Sequence, residues 1–261
     1  MKHKILIISM ALLMFFLTAC SSTTGSSEAS TDTTGTTTSS LTLSFSTDFE
    51  SDTLGSTLPT GFYSGSFADA TVVSSNDGYP AHGGAQSIQL GDTSASSNSK
   101  LVRILDGGSS TSTATLYTAG RIKFYAYLDA ECGVQNNSNT AEDETQENLY
   151  LTLYNNGTSS GNRVIDIRLE ASTLKLQHRT GAPTGDLTYV DETNAVFNLE
   201  NWNEIQIEWD DSQYYITFNG TQYGPYDLLQ TGGVGNAYFK FGQSGLVTTA
   251  KAYVDDIEIY N

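Results

Sequence analysis

Residues 121–128, Arg121-Ile-Lys-Phe-Tyr-Ala-Tyr-Leu128, decide the fold class of this chain. Apolar and polar side chains alternate strictly along this stretch. The apolar set is Ile122, Phe124, Ala126 and Leu128, and the polar set is Arg121, Lys123, Tyr125 and Tyr127. Because successive side chains of a β-strand point to opposite faces, this alternation predicts a strand with one buried and one polar face.

The same alternation recurs in segments 148–154, 164–170, 174–178, 205–209 and 214–218. Turn sequences lie between them, namely Asn155-Asn-Gly157, Asp210-Asp-Ser212 and Asn219-Gly220. No segment shows convincing helical periodicity. Many strands with short turns indicate a sandwich or a barrel. At this length we predict an all-β fold, a two-sheet antiparallel jelly-roll β-sandwich, over residues 41–261.

Three segments of this predicted domain resemble the concanavalin A-like lectin and glucanase (laminin-G-like) superfamily. They are Ser46-Thr-Asp-Phe-Glu-Ser51 near the start, the hairpin sequence 201–220, and Ala252-Tyr-Val-Asp-Asp-Ile-Glu-Ile-Tyr260 at the end. The resemblance implies a concanavalin A-like sandwich and a glycan as the partner. Such folds include lectins, glycosidases, lyases and adhesion modules, so the function has to be inferred from a site.

The first forty residues have the pattern of a bacterial export signal. A basic start precedes the apolar run 5–17, which is shorter than the roughly 20 residues that a membrane-spanning helix needs. Leu17-Thr-Ala-Cys20 resembles the lipobox of bacterial lipoproteins, which implies lipidation of Cys20. We therefore expect a signal peptide at 1–19 and a lipid-anchored Ser/Thr/Gly-rich tether at 20–40. The alternative is an ordinary signal peptide with Cys20 near the cut by chance.

The resemblance to lipoproteins also predicts where the protein is retained. Ser21 follows the cysteine, whereas an Asp there is typical of retention at the inner membrane. In a Gram-negative source we expect an outer-membrane lipoprotein that faces the periplasm or the cell surface. The lipid on Cys20 would be its only contact with the membrane.

The formal net charge of −17 limits the possible partners. It would repel nucleic acid and anionic lipids, and it weighs against polyanionic ligands unless a local basic patch overrides it. With Cys20 committed to a lipid, Cys132 has no partner for an internal disulfide, and we expect it to be a small buried residue. We expect a monomer.

A Tyr-rich polar face is the first candidate site. If the predicted strands share one sheet, their polar faces form a single concave surface on which tyrosine rings stack against sugar rings and polar groups bind hydroxyls. The predicted sugar-binding residues are Tyr125, Tyr127, Tyr150, Tyr154, Arg168, Gln177, Tyr238 and Lys240. The alternative is a solvated sheet face in which Tyr and Thr follow strand propensity.

A calcium site is the second candidate, and it follows from the resemblance. In many relatives one structural Ca²⁺ ties the first strand to the last. Glu50 and Asp255 occupy the matching positions here, and a backbone carbonyl near Gly83 and Gly84 could be a third ligand. Alternatively, these acids cap strand ends in solvent.

Catalytic residues are harder to assign. Laminarinase-type glycosidases carry Glu-x-Asp-x-x-Glu on a strand, but segment 142–147 has Glu144 in place of the central Asp and reads as a loop. We assign no catalytic residue from it.

A polysaccharide lyase is the main alternative to a binding protein. Tyr238-Phe-Lys-Phe-Gly242 resembles an alginate lyase strand, and Gln177-His178 faintly resembles another. Arg103 would have to neutralise the substrate carboxylate. However, Gln177 and His178 are adjacent and should point to opposite faces, and the tyrosine expected after the Gly is missing. A purely structural or adhesive surface protein is the third possibility.

Overall fold

The computed structural model describes residues 40–63, 70–91, 99–133, 148–181, 188–242 and 249–261. The predicted signal peptide at 1–19, Cys20, the predicted tether up to residue 39 and segment 142–147 lie outside the described residues. Within the described ranges the chain forms fourteen strands and short 3-10 turns at Ser75–Asp77, Ala130–Gly133 and Ser160–Asn162. The strands are β1 Leu43–Thr47, β2 Ala70–Ser74, β3 Gln86–Gly91, β4 Ser99–Ile104, β5 Gly120–Leu128, β6 Leu149–Tyr154, β7 Arg163–Glu170, β8 Lys175–Thr180, β9 Thr188–Val196, β10 Asn203–Trp209, β11 Gln213–Phe218, β12 Thr221–Asp227, β13 Asn236–Phe241 and β14 Lys251–Tyr260.

The strands form two antiparallel sheets. The eight-stranded sheet has the order β12-β11-β10-β5-β14-β3-β2, with β1 also paired to β14. The six-stranded sheet has the order β4-β13-β6-β7-β8-β9. This arrangement confirms the predicted two-sheet antiparallel jelly-roll β-sandwich. The described part of the chain contains no helix long and apolar enough to cross a membrane.

The alternating sequence of β5 produces the predicted division between core and surface. Ile122, Ala126 and Leu128 are completely buried and Phe124 is nearly so, whereas Lys123, Tyr125 and Tyr127 are partly exposed. Phe124 packs edge-to-face on Phe239 of β13, with ring centroids 5.1 Å apart. The apolar sides of the two sheets therefore meet in one core. The alternate side chains of each strand point away from this core, onto the outer side of its sheet.

Two of the three predicted turns are tight hairpins. Asn219 and Gly220 join β11 to β12 with φ of 47° and 80°, the left-handed conformation that favours Asn-Gly in such turns. Asp210 closes the β10–β11 turn, where its Oδ1 accepts the Ser212 and Gln213 N–H groups at 2.8 Å. Asn155 and Gly157 instead belong to the longer connection 155–162.

Candidate functional site

The outer side of the six-stranded sheet carries a dense set of basic and aromatic side chains, which we call the basic face. Neighbouring strands place these residues side by side through the registers of β4 with β13, β13 with β6, β6 with β7, β7 with β8, and β8 with β9. The basic side chains are Lys100, Arg163, Arg168, Lys175, Arg179 and Lys240, and the tyrosines are Tyr150, Tyr154, Tyr189 and Tyr238.

The structure brings six of the predicted sugar-binding residues together on this face. These are Tyr150, Tyr154, Arg168, Gln177, Tyr238 and Lys240. Tyr150, Tyr154 and Gln177 are buried, whereas Arg168, Tyr238 and Lys240 are partly exposed. A ligand on this face would therefore contact the partly exposed Arg168, Tyr238 and Lys240. The buried residues would support these three side chains from below.

The assumption that all the predicted strands share one sheet is wrong for β5, β10 and β11. The strand β5 pairs with β10 and β14, so Tyr125 and Tyr127 lie on the outer side of the eight-stranded sheet. Alternation shows that a strand has a polar side, but it does not show which sheet the strand joins. The single predicted surface is therefore two surfaces on opposite sides of the sandwich.

Arg168 is held by several contacts on the basic face. Its Nε donates to Gln177 Oε1 at 2.6 Å, and its Nη2 lies 2.5 Å from Glu170 Oε2. Its guanidinium carbon lies 4.0 Å from the centre of the Tyr189 ring. The planar group is thus fixed by a hydrogen bond, an ion pair and a cation–π contact, while its side chain keeps 19% exposure.

Asp166 organises the neighbouring part of the face from a buried position. Its Oδ1 accepts the Thr152 hydroxyl at 3.0 Å, and its Oδ2 accepts Arg179 Nη1 at 3.1 Å. Arg163 Nε lies 3.4 Å from the same oxygen. Burial raises the pKa of Asp166, and the two guanidinium groups oppose that rise. Asp166 therefore holds two arginines in place rather than facing a ligand itself.

Tyrosine rings and Lys240 complete the face beside β13. Lys240 Nζ lies 4.9 Å from the centre of the Tyr150 ring. Tyr154 and Tyr238 pack edge-to-face with centroids 5.8 Å apart. Burial raises the pKa values of both of these tyrosines, so their hydroxyls stay protonated and can donate hydrogen bonds at neutral pH.

The charge of the basic face is opposite to that of the whole chain. Its six basic residues are half of the 12 Lys and Arg residues in the sequence. The described acidic side chains on the same face are Asp166, Glu170 and Asp191. Among the described residues, this surface is the kind of local basic patch that could accept an anionic ligand despite the net charge of −17.

Sequence reasoning missed the contribution of β9 to this face. Tyr189 lies against Arg168 and also near Arg179, whose guanidinium carbon is 5.3 Å from its ring centre. Asp191 accepts Gln177 Nε2 at 2.6 Å and Lys175 Nζ at 2.9 Å. Segment 188–196 has few apolar residues, and only the short alternation Tyr189-Val-Asp191 could have indicated an edge strand there.

The elements of the lyase alternative are divided between the two sides of the sheet. Tyr238, Lys240 and Gln177 lie on the basic face, but His178 points into the sandwich, as predicted from its adjacency to Gln177. Arg103 also points inwards, donates to the Gly61 carbonyl and lies 4.0 Å from the centre of the Phe45 ring. Arg103 therefore cannot neutralise a carboxylate bound on the basic face.

Glu50 and Asp255 reach one short segment from different parts of the chain. Glu50 Oε1 accepts the Ala85 and Gln86 N–H groups at 2.7 and 2.6 Å, and Asp255 Oδ2 accepts the His82 N–H at 2.8 Å. Asp255 is completely buried, and this burial raises its pKa to about 6. The alternative of a strand-end cap in solvent is therefore wrong for Asp255.

These two carboxylates fit the hard oxygen ligands that Ca²⁺ prefers. Burial raises the pKa of Asp255 despite the backbone N–H groups of His82, Gly83 and Asp256 that favour its charged form, so a bound cation would further compensate the buried charge. Among the described residues, however, no three or more His, Cys, Asp or Glu side chains converge on one point. Backbone carbonyls would therefore have to supply most of the remaining ligands.

The fold and this surface define a class of protein, a jelly-roll β-sandwich with a basic, tyrosine-containing sheet face. No family model matches the chain, and none of the curated proteins is similar to it. The solved structures do contain similar folds. A carbohydrate esterase of the Shiga toxin-encoding bacteriophage phi24B matches with a TM-score of 0.53 and 16% identity, over 84% of this chain and 98% of the esterase.

Two further solved structures are less informative. A sialidase matches with a TM-score of 0.50 and 9% identity over 76% of this chain, which spans only 16% of the sialidase. A family 7 alginate lyase matches with a TM-score of 0.46 and 14% identity, over 67% of this chain and 80% of the lyase, and we base no argument on it. At these identities the first two likenesses support the β-sandwich fold alone.

Proposed function

We propose that this protein binds an acidic polysaccharide or oligosaccharide on the basic face of its six-stranded sheet. The observation that carries the proposal is the gathering of half of the chain's basic residues on one tyrosine-containing surface of an acidic protein. Arginine and lysine side chains bind carboxylate or sulfate groups, and tyrosine rings contact the C–H faces of sugar rings. The phage esterase and the sialidase are named for carbohydrate chemistry, which agrees with a glycan ligand.

The partly exposed side chains would make the direct contacts. Arg168 and Arg179 both lie near the Tyr189 ring, at 4.0 and 5.3 Å from its centre, so a uronate could place its carboxylate at a guanidinium and its ring against the exposed part of the tyrosine. Tyr238 and Lys240 extend the same surface onto β13. The hydrogen bonds through Gln177, Asp191 and Asp166 hold these groups before a ligand arrives, which reduces the ordering cost of binding.

Affinity electrophoresis of the full-length protein in detergent tests this proposal. We expect alginate, polygalacturonate or ulvan to retard the protein, and we expect the double variant Arg168→Ala/Lys240→Ala to migrate freely. Lys251→Ala, on the eight-stranded sheet, is the matched control that should still be retarded. If none of the acidic glycans retards the wild-type protein, the proposal fails, and a structural or adhesive role is favoured.

A polysaccharide lyase is the second candidate, because Tyr238, Lys240 and Gln177 share the basic face. The inward direction of His178 and Arg103 argues against it. Incubation with the same acidic glycans, followed by the absorbance of unsaturated products, separates the two functions. Any turnover that Tyr238→Phe abolishes would establish the lyase and contradict a purely binding role.

We further propose that a lipid on Cys20 anchors the protein to the outer membrane and that residues 20–40 form its tether. A flexible chain of twenty residues has a root-mean-square reach of about 25 Å. Such an anchor would keep the domain at the cell while it samples the surrounding glycan. The lipobox-like sequence Leu17-Thr-Ala-Cys20 supports this proposal.

We also propose one structural Ca²⁺ held by Glu50 and Asp255 with backbone carbonyls near Gly83 and Gly84. Both glycines let the acidic side chains approach this segment of backbone closely. A Cβ on Gly84 would overlap the Glu50 carboxylate, and a Cβ on Gly83 would overlap the Asp256 carboxylate. The ion would stabilise the junction of 82–86 with the chain near β1 and with β14. It would have no role in chemistry on the basic face.

A further inference from the structure

Five aromatic rings form a continuous row on the outer side of the eight-stranded sheet. We call the rings of His82, Tyr125, Trp202, Tyr127 and Tyr253 the aromatic row. His82 stacks on Tyr125 with centroids 3.6 Å apart and lies 5.7 Å from Trp202. Tyr127 lies 5.5 Å from Trp202 and 5.7 Å from Tyr253. Four of the rings keep partial or full exposure, whereas Tyr253 is buried at the end.

Hydrogen bonds at the edges of the rings hold this row in place. The Tyr125 hydroxyl donates to Glu204 Oε2 at 2.6 Å, and Lys123 Nζ lies 3.0 Å from the same oxygen. The Tyr253 hydroxyl accepts Gln89 Nε2 at 3.1 Å. These contacts fix the positions of the rings, which lowers the ordering cost of binding a ligand to the ring surfaces that remain exposed.

A cavity of about 470 Å³ opens at the His82 end of the row. His82 and Tyr125 form one wall, and the other lining side chains include the carboxylates of Asp48, Asp256 and Glu258. Its volume lies in the range of about 300–1,000 Å³ that small-molecule sites occupy. The cavity thus joins stacking surfaces to hydrogen-bond acceptors.

A bulge in β14 places one of these acceptors. The pairing of β14 with β5 shifts register between Asp255 and Glu258, and Asp256 has a φ of 47°. This conformation turns the Asp256 carboxylate to His82, where Oδ2 lies 2.6 Å from Nδ1. Bulges commonly re-aim a side chain next to a functional site.

We propose that the aromatic row and its cavity form a second carbohydrate site, which takes a neutral saccharide. Aromatic faces stack on sugar C–H groups, and carboxylates accept hydrogen bonds from sugar hydroxyls. The cavity is lined by three carboxylates and by the ammonium group of Lys123, so its negative charge disfavours an anionic ligand. Because the two sites lie on the outer sides of different sheets, one protein molecule binds a neutral glycan and an acidic glycan at the same time.

Affinity electrophoresis of the full-length protein with laminarin and with galactomannan tests the second site. We expect at least one of these neutral polymers to retard the wild-type protein, and we expect Trp202→Ala to reduce the apparent affinity at least tenfold. Trp202→Phe keeps a ring and should retain most of the binding. Tyr215→Ala, on the same side of the same sheet but outside the row, is the matched control and should bind normally.

Several results would overturn this inference. The inference fails if neither neutral polymer retards the wild-type protein, or if Trp202→Ala binds as well as wild type. It also fails if sedimentation shows a dimer of the wild-type protein that the substitution Trp202→Ala dissociates. The last result would make the row a protein interface. An unchanged thermal unfolding midpoint shows that Trp202→Ala is folded whether or not alginate binds, and comparison of its alginate binding with that of the wild-type protein separates this test from the test of the basic face.

Discussion

Arg168 of β7 and Tyr189 of β9 contact each other across β8, since the Arg168 guanidinium carbon lies 4.0 Å from the centre of the Tyr189 ring. Gln177 of β8 lies between their strands and accepts from Arg168. The cation and the ring therefore form one preorganised unit, and it is this unit that we propose contacts a carboxylated sugar. Arg121 makes a geometrically similar contact with Tyr260 at 4.0 Å on the other sheet.

This pair gives the first prediction. Arg168→Ala should weaken binding of alginate or polygalacturonate at least tenfold, about 1.4 kcal/mol, because both the charge and the ring contact are lost. Arg168→Lys should recover only part of the affinity, since an ammonium cannot keep the planar stack. Isothermal titration calorimetry measures both. Arg121→Ala is the matched control, and equal losses in Arg121→Ala and Arg168→Ala would contradict the assignment.

The second prediction concerns His178 inside the sandwich. Its Nδ1 lies 3.1 Å from the Tyr214 hydroxyl and its Nε2 3.2 Å from Glu192 Oε1, which also accepts the Tyr226 hydroxyl at 2.5 Å. Burial lowers the pKa of His178 below 6.5, and Glu192 only partly opposes this. The unfolded chain thus binds a proton more readily than the folded one. The stability contributed by neutral His178 is fully present above about pH 6.5, the ordinary pKa of histidine, and is lost as the pH falls from there through the lower pKa of the folded state.

Thermal unfolding between pH 5 and 8 measures this effect. His178→Gln keeps polar contacts but has no titrating group, so its unfolding midpoint should depend less on pH in this window. His82→Gln is the control for the loss of a histidine, because His82 lies outside this buried network. Below pH 6.5 the unfolding midpoint of the wild-type protein should fall more steeply than that of His178→Gln. If the two midpoints fall equally, the buried network does not contribute pH-dependent stability.

The sequence was sufficient to predict strands and their polar sides, but it was not sufficient to predict which strands are neighbours. The alternation of 121–128 predicted the buried set of β5 correctly, since a period of two follows from local geometry. Alternation alone places Tyr125 and Tyr127 on the same surface as Tyr150, and this is wrong because the sheet that a strand joins depends on long-range pairing. The ring of Tyr189 was missed for a related reason, since β9 is an edge strand with little apolar sequence.

The third prediction concerns calcium. If Glu50 and Asp255 hold Ca²⁺, the ion should raise the unfolding free energy by about 2.7 kcal/mol at 100 times its dissociation constant. Differential scanning calorimetry with Ca²⁺, Mg²⁺ or EGTA measures the shift. Glu50→Gln and Asp255→Asn should lose the response to Ca²⁺, and Asp227→Asn, an exposed acid on β12, should keep it. No response to Ca²⁺ in the wild-type protein would rule out the proposed ion.

The fourth prediction concerns the anchor at Cys20. Cys20→Ser removes the thiol that a lipid would modify, so the variant should lose incorporation of labelled palmitate and leave the membrane fraction. Cys132→Ser is the matched control. Cys132 is buried and its Sγ lies 3.3 Å from Asp129 Oδ1, so it is not accessible to the lipidation machinery and its variant should stay with the membrane. If Cys20→Ser remains membrane-bound and labelled, the lipobox interpretation is wrong, and the tether would not determine how far the two proposed glycan sites can reach.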